Sequence, residues 1–449
     1  MSIHKFIMAL TLLGVVLLTQ TSSAFGAGDP LDALAPKSVV SQGNLARLDR
    51  VFERAMAGRH VTIAAIGGSI TQGAMATKPR YNYPSLVAQW FARTFPKAKV
   101  SLVNAGVGAT GTHYGCLRVK HDVLSHHPNL VIVEFAVNDG AQKSYSETYE
   151  GLIRHILSAP DHPAVIELFL IFGHNGVTEE VPEEKIGYHY DLPMISYRNA
   201  VWPLLKAKKL AWSAIQVPKN QPGYMHPNDR GHALIAYFVT HFLHQCLNKL
   251  TKYSTDGFPG PQRANLPSIQ PLPKPLYTSI YAHARYWSAD SLKPVSNHGW
   301  KFPPAKIASM PAIRQIGSWS SDKAGVIHGN ARTVFYNDRF WTSDKPGSVI
   351  TFHIPGRVIF LSFYRHDGPY GKVRVQVDHN PPRILNAWFP GTWGGYRKTD
   401  IIATKLPPGV HTVRVTLLKS HSAGSTGHQF CLLGLGAAGI TTHGKGMIQ

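Results

Sequence analysis

The stretch Val61-Thr62-Ile63-Ala64-Ala65-Ile66-Gly67-Gly68-Ser69-Ile70-Thr71 joins an apolar run to two glycines and a serine, just before a segment of helical pattern. An apolar run of this length predicts a buried β-strand. Glycine allows the sharp turn by which a strand passes into a helix. Such a turn presents a side chain at the carboxyl edge of a sheet, where open α/β folds bind their ligands. We therefore take Ser69 as a candidate nucleophile.

Three further segments follow in the chain and supply a glycine-rich turn, an asparagine and a late histidine. They are residues 103–111 (VNAGVGATG), 133–139 (VEFAVND) and 226–232 (HPNDRGH). The four ordered blocks resemble the SGNH (GDSL-like) hydrolase superfamily, in the subgroup whose first block is GGSIT and whose third is EFAVND. The resemblance covers roughly residues 55 to 250. It implies a three-layer α/β/α, flavodoxin-like domain with a parallel sheet.

The resemblance also implies a role for each site residue. Ser69 would be the nucleophile, and His226 the base that takes its proton and later returns it. The Ser69 amide, the Gly108 or Ala109 amide and the Asn138 side chain would donate to the developing oxyanion. The family usually has a glycine in the column that holds Ala109 here. Because only a backbone N–H is needed there, we expect the alanine to do little harm.

One departure from the family pattern concerns the group that orients the histidine. The last block of the family is Asp-x-x-His, but the position three residues before His226 is Gly223, and no carboxylate lies between residues 210 and 225. A triad that lacks its acid can lose about 10⁴-fold in rate. A backbone carbonyl could orient the ring, Asp191 or Asp229 could fold into place, or the site could be a weak esterase or a binding site without turnover.

The amino terminus predicts a secretory signal peptide over residues 1–24. Lys5 precedes an apolar core at residues 6–18, and Ser22-Ser23-Ala24 supplies small residues for cleavage. An uncleaved anchor is the alternative. No later stretch is long and apolar enough to cross a bilayer. We therefore expect a periplasmic or secreted protein without a membrane span in the mature chain.

The remaining sequence predicts two domains joined by a linker. Within residues 40–250, strand-like runs at 61–66, 100–104, 130–135 and 164–172 alternate with helical patterns, which favours a parallel sheet covered on both faces. Residues 251–275 are rich in proline and predict a linker. Residues 276–440 predict a jelly-roll-like β-sandwich, because apolar and polar residues alternate at 348–353, 357–364, 372–378 and 410–418.

Composition limits the partners and cofactors. The formal net charge is +21, from 46 Lys+Arg against 25 Asp+Glu. Acidic polysaccharide, lipid headgroups or an anionic wall surface would suit this charge in a secreted chain, and an ordinary solvated surface is the alternative. Without a nucleic-acid motif we expect no nucleic-acid partner. We predict no catalytic metal and no cofactor, and we expect Cys116, Cys246 and Cys431 to be buried thiols, with one disulfide as the alternative.

The second domain contains a dense aromatic stretch at residues 386–396 (NAWFPGTWGGY). Flat aromatic faces can stack on sugar rings, so Trp388, Trp393 and Tyr396 are candidates for carbohydrate binding. Packing in the core of the sandwich is the alternative for each.

Together these observations predict a secreted SGNH-type serine esterase that removes small acyl groups, such as acetyl, from a polysaccharide. One alternative is an acyltransferase or accessory protein in the production of an exopolysaccharide such as bacterial cellulose. Another is a noncatalytic polysaccharide-binding protein with a degenerate triad.

Overall fold

The computed structural model describes residues 33–171, 176–220, 224–255, 268–303, 313–322, 326–335, 339–391 and 394–440. The predicted signal peptide, residues 256–267 of the predicted linker, Gly223 and Trp393 lie outside these residues. The described chain forms an α/β domain followed by two antiparallel β-sheets.

The first part of the chain alternates strands and helices. In chain order its elements are α1 (Ala35–Ser38), β1 (Val39–Ser41), α2 (Ala46–Met56), β2 (Val61–Gly67), α3 (Ser69–Gln72), α4 (Tyr83–Thr94), β3 (Val100–Gly106), α5 (Thr112–Asp122), β4 (Leu130–Glu134), α6 (Lys143–Leu157), β5 (Ala164–Phe169), α7 (Glu180–His189), β6 (Met194–Ser196), α8 (Tyr197–Lys206), α9 (Trp212–Ile215) and α10 (Asp229–Thr255). Short 3₁₀ helices cover Pro79–Tyr81 and Leu124–His126.

The second part contains only strands among the described residues. They are β7 (Arg285–Ser288), β8 (Ser296–His298), β9 (Ile313–Ser321), β10 (Ile327–Phe335), β11 (Trp341–Ser343), β12 (Val349–Pro355), β13 (Val358–Arg365), β14 (Lys372–Val377), β15 (Arg383–Asn386), β16 (Tyr396–Ala403), β17 (Val410–Leu417) and β18 (Phe430–Ala438).

The central sheet has eight strands in the order β1-β6-β5-β4-β2-β3-β9-β10. Strands β2 to β6 pair in parallel, as the sequence predicts. The predicted parallel sheet is confirmed, and antiparallel strands extend it on both sides, where β1 pairs with β6 and β9 pairs with β3. The edge strand β1 and its neighbour β6 are only three residues long, which is too short for a clear apolar pattern.

Both faces of the sheet are covered, which gives the three layers predicted for the domain. Ile63 and Ala65 of β2 pack with apolar residues of α2, α4, α8 and α10 on one face. Their neighbours Ala64 and Ile66 pack with α5, α6 and α7 on the other. This alternation explains why four successive residues of β2, Ile63 to Ile66, are all apolar.

The all-β part consists of two five-stranded antiparallel sheets, which confirms the predicted all-β domain. One sheet has the order β11-β18-β13-β16, with β7 also paired to β18, and the other has the order β15-β14-β17-β12-β8. Apolar side chains of both sheets form one core, among them Phe352, Phe363 and Phe430. Alternation along β14 and β17 leaves every second residue outside that core.

The hairpin β9–β10 lies within residues 276–440 but belongs to the central sheet. Strand β9 pairs with β3 over five residues, from Val100↔Trp319 to Asn104↔Gln315. Trp319 is buried in the core of the α/β domain. A segment from the second half of the chain therefore completes the sheet that positions the candidate site.

The all-β part also packs directly on α5 and α6 of the α/β domain. Val358, Phe360 and Ala438 share a buried cluster with Leu117 of α5. Gly436 of β18 lies so close to this helix that an added Cβ would be 2.4 Å from Leu117 Cδ1. The junction between the two parts is thus apolar and closely packed.

Two further predictions concern cysteines and membrane spans. Cys116, Cys246 and Cys431 are buried, unpaired thiols, as expected. None of the helices in the described part of the chain has the length and apolar character that a bilayer span requires.

Candidate active site

Ser69 begins the short helix α3, directly after the carboxyl end of β2. Gly106, at the end of β3, allows the close approach that the turn needs, because a Cβ there would be 2.1 Å from the Gln72 nitrogen. The Asn104 side-chain amide donates to the Thr71 carbonyl at 2.6 Å, which ties β3 to α3. The serine is therefore held at the carboxyl edge of the sheet by the two strands beside it.

His226 reaches the same edge from the segment between α9 and α10. Its Nε2 lies 2.8 Å from Ser69 Oγ, within hydrogen-bond distance. The Val217 amide donates to the His226 carbonyl at 3.1 Å, and Asn228 caps α10 by accepting a hydrogen bond from the Gly231 amide at 3.0 Å. These backbone contacts fix the histidine between two helices, 157 residues away from the serine in sequence.

Asn138 follows the carboxyl end of β4 and lies against the turn that carries the serine. A Cβ on Gly68 would be only 1.7 Å from Asn138 Oδ1, so only glycine fits beside this amide. The structure therefore brings Asn138 next to the residue that precedes Ser69. A carboxamide in this position can donate to an oxyanion that forms at the serine.

Gly108 and Ala109 form the turn between β3 and α5. The preceding amide of Val107 donates to the Gly67 carbonyl at 2.9 Å, which places the start of this turn beside the serine turn. Ala109 has a φ of 55°, in the left-handed region. Asp139 holds the far end of the turn, because its carboxylate accepts from the Thr112 amide at 2.7 Å.

The left-handed conformation of Ala109 predicts a stability gain for Ala109→Gly. A side chain in this region costs about 1–2 kcal/mol, part of which the greater freedom of glycine in the unfolded chain offsets. We expect the glycine variant to be more stable by about 0.5–1 kcal/mol in urea unfolding, with small-ester turnover retained because the backbone N–H remains. Ala159→Gly, at a position outside this turn, serves as the control; a destabilised Ala109→Gly variant would contradict the assignment of strain.

Glu134 is a site residue that the sequence analysis missed, although it lies in the EFAVND block. It ends β4 and is fully buried. The Tyr83 hydroxyl lies 2.8 Å from Thr71 Oγ1, and Thr71 donates to Glu134 Oε2 at 3.2 Å. Burial raises the pKa of Glu134 to about 7, and the Thr71 hydroxyl and the amides of Val137 and Gly68 limit the rise. The carboxyl group thus sits between the serine turn and the asparagine turn. The sequence signal that could have identified Glu134 is a charged residue at the end of an otherwise apolar strand.

The two candidate acids lie in different places relative to Ser69. Both carboxylate oxygens of Asp229 accept hydrogen bonds from Thr77, at 2.8 Å from its amide and 2.5 Å from its hydroxyl. Asp229 therefore joins the loop after Ser69 to the start of α10. Asp191 lies near the amino end of β6, at the opposite edge of the sheet, where its carbonyl accepts from the Asn44 amide. This position argues against Asp191 as the acid that orients His226.

Behind the site lies a group of buried carboxyl groups that the sequence analysis did not predict. Burial raises the pKa of Glu134 and Glu180 to about 7 and of Asp139 to about 8, and holds the pKa of Glu167 and Glu183 well above the ordinary value of a glutamate. Both carboxyl oxygens of Glu183 lack a hydrogen-bond partner among the described residues. Within the same residues, no group of three or more acids, histidines or cysteines is arranged to hold a metal ion.

These carboxyl groups predict that the protein loses stability as the pH rises from 6.5 to 8. In this range they remain partly protonated in the folded protein, whereas the unfolded chain ionises them near their ordinary pKa of about 4. Each group still protonated lowers the free energy of unfolding by about 1.4 kcal/mol per pH unit. The buried histidines 113, 155 and 232, whose pKa burial lowers to about 4, oppose this trend near pH 6.5, where the unfolded chain protonates about half of them. Above about pH 7.5 they are neutral in both states, and the carboxyl groups dominate.

Thermal melting at pH 6.5 and pH 8 measures this effect. We expect the Tm to fall by about 4 °C or more, because 1 kcal/mol corresponds to about 2–4 °C in a domain of this size. Glu183→Gln should raise the Tm at pH 8 and reduce the fall. Glu147→Gln, which removes a carboxylate paired with Lys143 on the surface of α6, should leave the fall unchanged. A Tm that rises from pH 6.5 to pH 8 would contradict the claim that these buried carboxyl groups destabilise the folded protein as the pH rises.

The aromatic candidates of the second part differ in their surroundings. The Trp388 ring packs on Gly424, where an added Cβ would be 2.4 Å from it, and its indole nitrogen is buried. This surrounding favours a packing role for Trp388. Tyr396 is partly exposed, accepts a hydrogen bond from Arg365 at 2.9 Å and contacts Phe389 edge-on at 5.1 Å. Trp393 lies outside the described residues.

Comparison with known proteins agrees with this geometry. Residues 65–234, which include Ser69, Asn138 and His226, match the GDSL-like Lipase/Acylhydrolase family. The chain is also similar to a solved two-domain esterase active on acetylated mannans, with 29% identity over 91% of this chain and 99% of that chain and a TM-score of 0.73. The structure of such an esterase co-crystallised with mannopentaose matches with the same identity and coverage and a TM-score of 0.72. No curated protein matches the chain.

The match to both parts of a two-domain esterase agrees with the α/β domain and the all-β sheets described above. Together with the family match over residues 65–234, it supports the activity of this chain: the protein is a carboxylic ester hydrolase.

Proposed function

We propose that this protein is a secreted esterase in which Ser69 and His226 remove acetyl groups from a polysaccharide of the mannan class. The observation that carries the proposal is the distance of 2.8 Å between Ser69 Oγ and His226 Nε2 at the carboxyl edge of the sheet. A nucleophile and a base at this separation can share a proton, which is the first requirement for attack on an ester carbonyl.

The proposed reaction has two steps. His226 takes the proton of Ser69 as Oγ attacks the acetyl carbonyl, and the amides of the serine turn, the Gly108–Ala109 turn and Asn138 stabilise the oxyanion. The C–O bond to the sugar then breaks, and His226 returns the proton to the sugar hydroxyl. A water molecule, deprotonated by His226, then attacks the acetyl-serine. The bond between Ser69 Oγ and the acetyl carbon breaks, His226 returns the proton to Ser69 Oγ, and acetate leaves. Each fixed donor to the oxyanion contributes about 3–4 kcal/mol to the transition state.

The proposed substrate class is supported by the similar two-domain esterase, which is active on acetylated mannans and resembles this chain over both of its parts. The secreted location is supported by the signal-peptide pattern of residues 1–24.

Two tyrosines, Tyr145 of the α/β domain and Tyr396 of the all-β part, support sugar binding as well. The Tyr145 ring stacks on His113 at 4.0 Å between ring centroids and lies 3.2 Å from an added Cβ on Gly111, close to the Gly108–Ala109 turn. Burial raises the pKa of Tyr145 to about 12, and the nearby charges of Asp139, Asp400 and Tyr396 add to the rise. Tyr396 of the second part is thus close to the rim of the site. We propose that Tyr145 and Tyr396 contact sugar units beside the acetylated one.

The test is to measure acetate release from acetylated mannan, with acetylated xylan and acetylated cello-oligosaccharides as alternative substrates. We expect the highest kcat/KM on mannan. Tyr396→Phe, which keeps the aromatic ring, should retain the kcat/KM on mannan. Tyr396→Ala should lower this kcat/KM by about threefold to tenfold, the value of one aromatic contact. Small-ester turnover should be unchanged in both variants. An equal or higher kcat/KM on the other two substrates would contradict the mannan assignment.

The same preparation distinguishes hydrolysis from transfer. A small acetyl ester is supplied as donor together with unacetylated manno-oligosaccharide, and products are separated by mass. We expect acetate as the main product. Acetylated oligosaccharide as the main product would instead favour an acyltransferase.

A further inference from the structure

A pocket with four arginines lies on the α/β domain at the edge opposite the candidate active site. Its volume is about 400 Å³, and Arg47, Arg50, Arg54 and Arg59 line it. Arg59 precedes β2, whereas Ser69 follows the same strand. Because a seven-residue strand is roughly 20 Å long, the pocket is separated from the ester chemistry by the length of the sheet.

Three of these arginines share one face of α2. Residues 47, 50 and 54 are spaced by three and four positions, so their side chains lie side by side on the helix. The Arg47 guanidinium is held in place, because it donates to the carbonyls of Pro163 at 3.3 Å and Leu157 at 3.1 Å. Burial and the neighbouring charge of Arg50 lower the pKa of Arg47.

No salt bridge within the described ranges involves any of the four arginines. Asp49 interacts electrostatically with Arg50, and Arg50 and Arg54 donate to the backbone carbonyls of Ala46 and His60. Asp161, which also lines the pocket, pairs with His127 at 2.9 Å instead. Glu53 is the other acid of the lining. The pocket therefore concentrates a net positive charge that its own residues leave available.

The chemistry of the lining selects an anion. A guanidinium presents planar N–H donors that match a carboxylate or a phosphate in a bidentate manner, which an ammonium cannot do. A neutral sugar would leave the positive charge uncompensated. A lipid surface is flat, whereas this site is recessed and has the volume of a small-ligand pocket.

We propose that the arginine pocket binds the carboxylate of an acidic sugar, such as a uronate unit of a polysaccharide, and holds the protein on that polymer. The formal net charge of +21 would then favour approach to the same polyanion. This proposal does not depend on the ester substrate, because the pocket and Ser69 are at opposite edges of the sheet.

Calorimetric titration of the full chain at low salt tests the proposal, with glucuronate oligosaccharide as the probe. The variant is Arg50→Gln/Arg54→Gln, which leaves in place the bonds from Arg47 to the distant carbonyls of Pro163 and Leu157. The control is Arg374→Gln, an exposed arginine of β14. We expect the double variant to bind glucuronate about tenfold or more weakly, and the control to bind it unchanged. Both should retain the melting temperature and the small-ester turnover.

Two further probes complete the test. Manno-oligosaccharide, which carries no charge, should show no binding that depends on the two arginines, and inorganic phosphate should bind no more tightly than glucuronate. Unchanged glucuronate affinity in the double variant would overturn the proposal. Phosphate binding tenfold tighter than glucuronate would overturn the assignment to an acidic sugar. The titration measures binding directly, so the affinity for glucuronate is determined whether or not a variant hydrolyses esters.

Discussion

Replacing Ser69 by alanine is expected to lower kcat for a small acetyl ester by about 10⁴-fold or more, which is the size of the loss when a serine nucleophile is removed. The physical reason is that the acetyl group then has no oxygen to which it can be transferred. The hydrogen bond of 2.8 Å to His226 is also lost. Because Ser69 is only half-buried, the fold should remain intact.

The measurement is initial-rate turnover of a chromogenic acetate ester, combined with thermal melting of each variant. Ser213→Ala provides a matched control, since Ser213 is an exposed serine of α9, in the chain segment leading to His226. The control should keep full activity. Retention of more than about a tenth of the turnover by Ser69→Ala would exclude this serine as the nucleophile.

Replacing His226 by alanine should cause a loss of similar size, since a serine hydroxyl is a weak nucleophile without a base. Added imidazole should restore part of the turnover in His226→Ala by serving as a base in the vacated space. It should not restore any in Ser69→Ala. This difference separates a proton-transfer role from a merely structural one, which imidazole would not rescue.

Asp229→Asn distinguishes the explanations for the missing triad acid. Both oxygens of Asp229 accept hydrogen bonds from Thr77, so we expect this variant to lose less than about tenfold in kcat and to be destabilised instead. Loss of a true triad acid costs about 10⁴-fold. A loss of that size in Asp229→Asn would assign the orienting role to this carboxylate.

The sequence predicted the features that depend on neighbouring residues. The strands β2 to β5 are mostly apolar. The residues that follow β2, β3 and β4 bring a serine, a glycine-rich turn and an asparagine to one edge because parallel strands end there together. The four strands predicted in the second part were found within one or two residues for the same reason: their apolar residues alternate.

Features that depend on distant contacts were not predictable. Strand β9 pairs with β3, more than 200 residues earlier in the chain, and no local pattern indicates such a partner. The buried position of Glu134 depends on Thr71, Tyr83 and the two turns beside it. The arginine pocket likewise combines α2 with residues that precede three different strands.

Covalent labelling with a fluorophosphonate tests the central claim most directly. This reagent reacts with a serine that a neighbouring base activates and whose oxyanion is stabilised, and peptide mass spectrometry identifies the labelled residue. We predict one adduct per chain, on Ser69, with the rate of labelling strongly reduced in His226→Ala. Labelling of a different serine, or unchanged labelling of Ser69 in His226→Ala, would contradict the account.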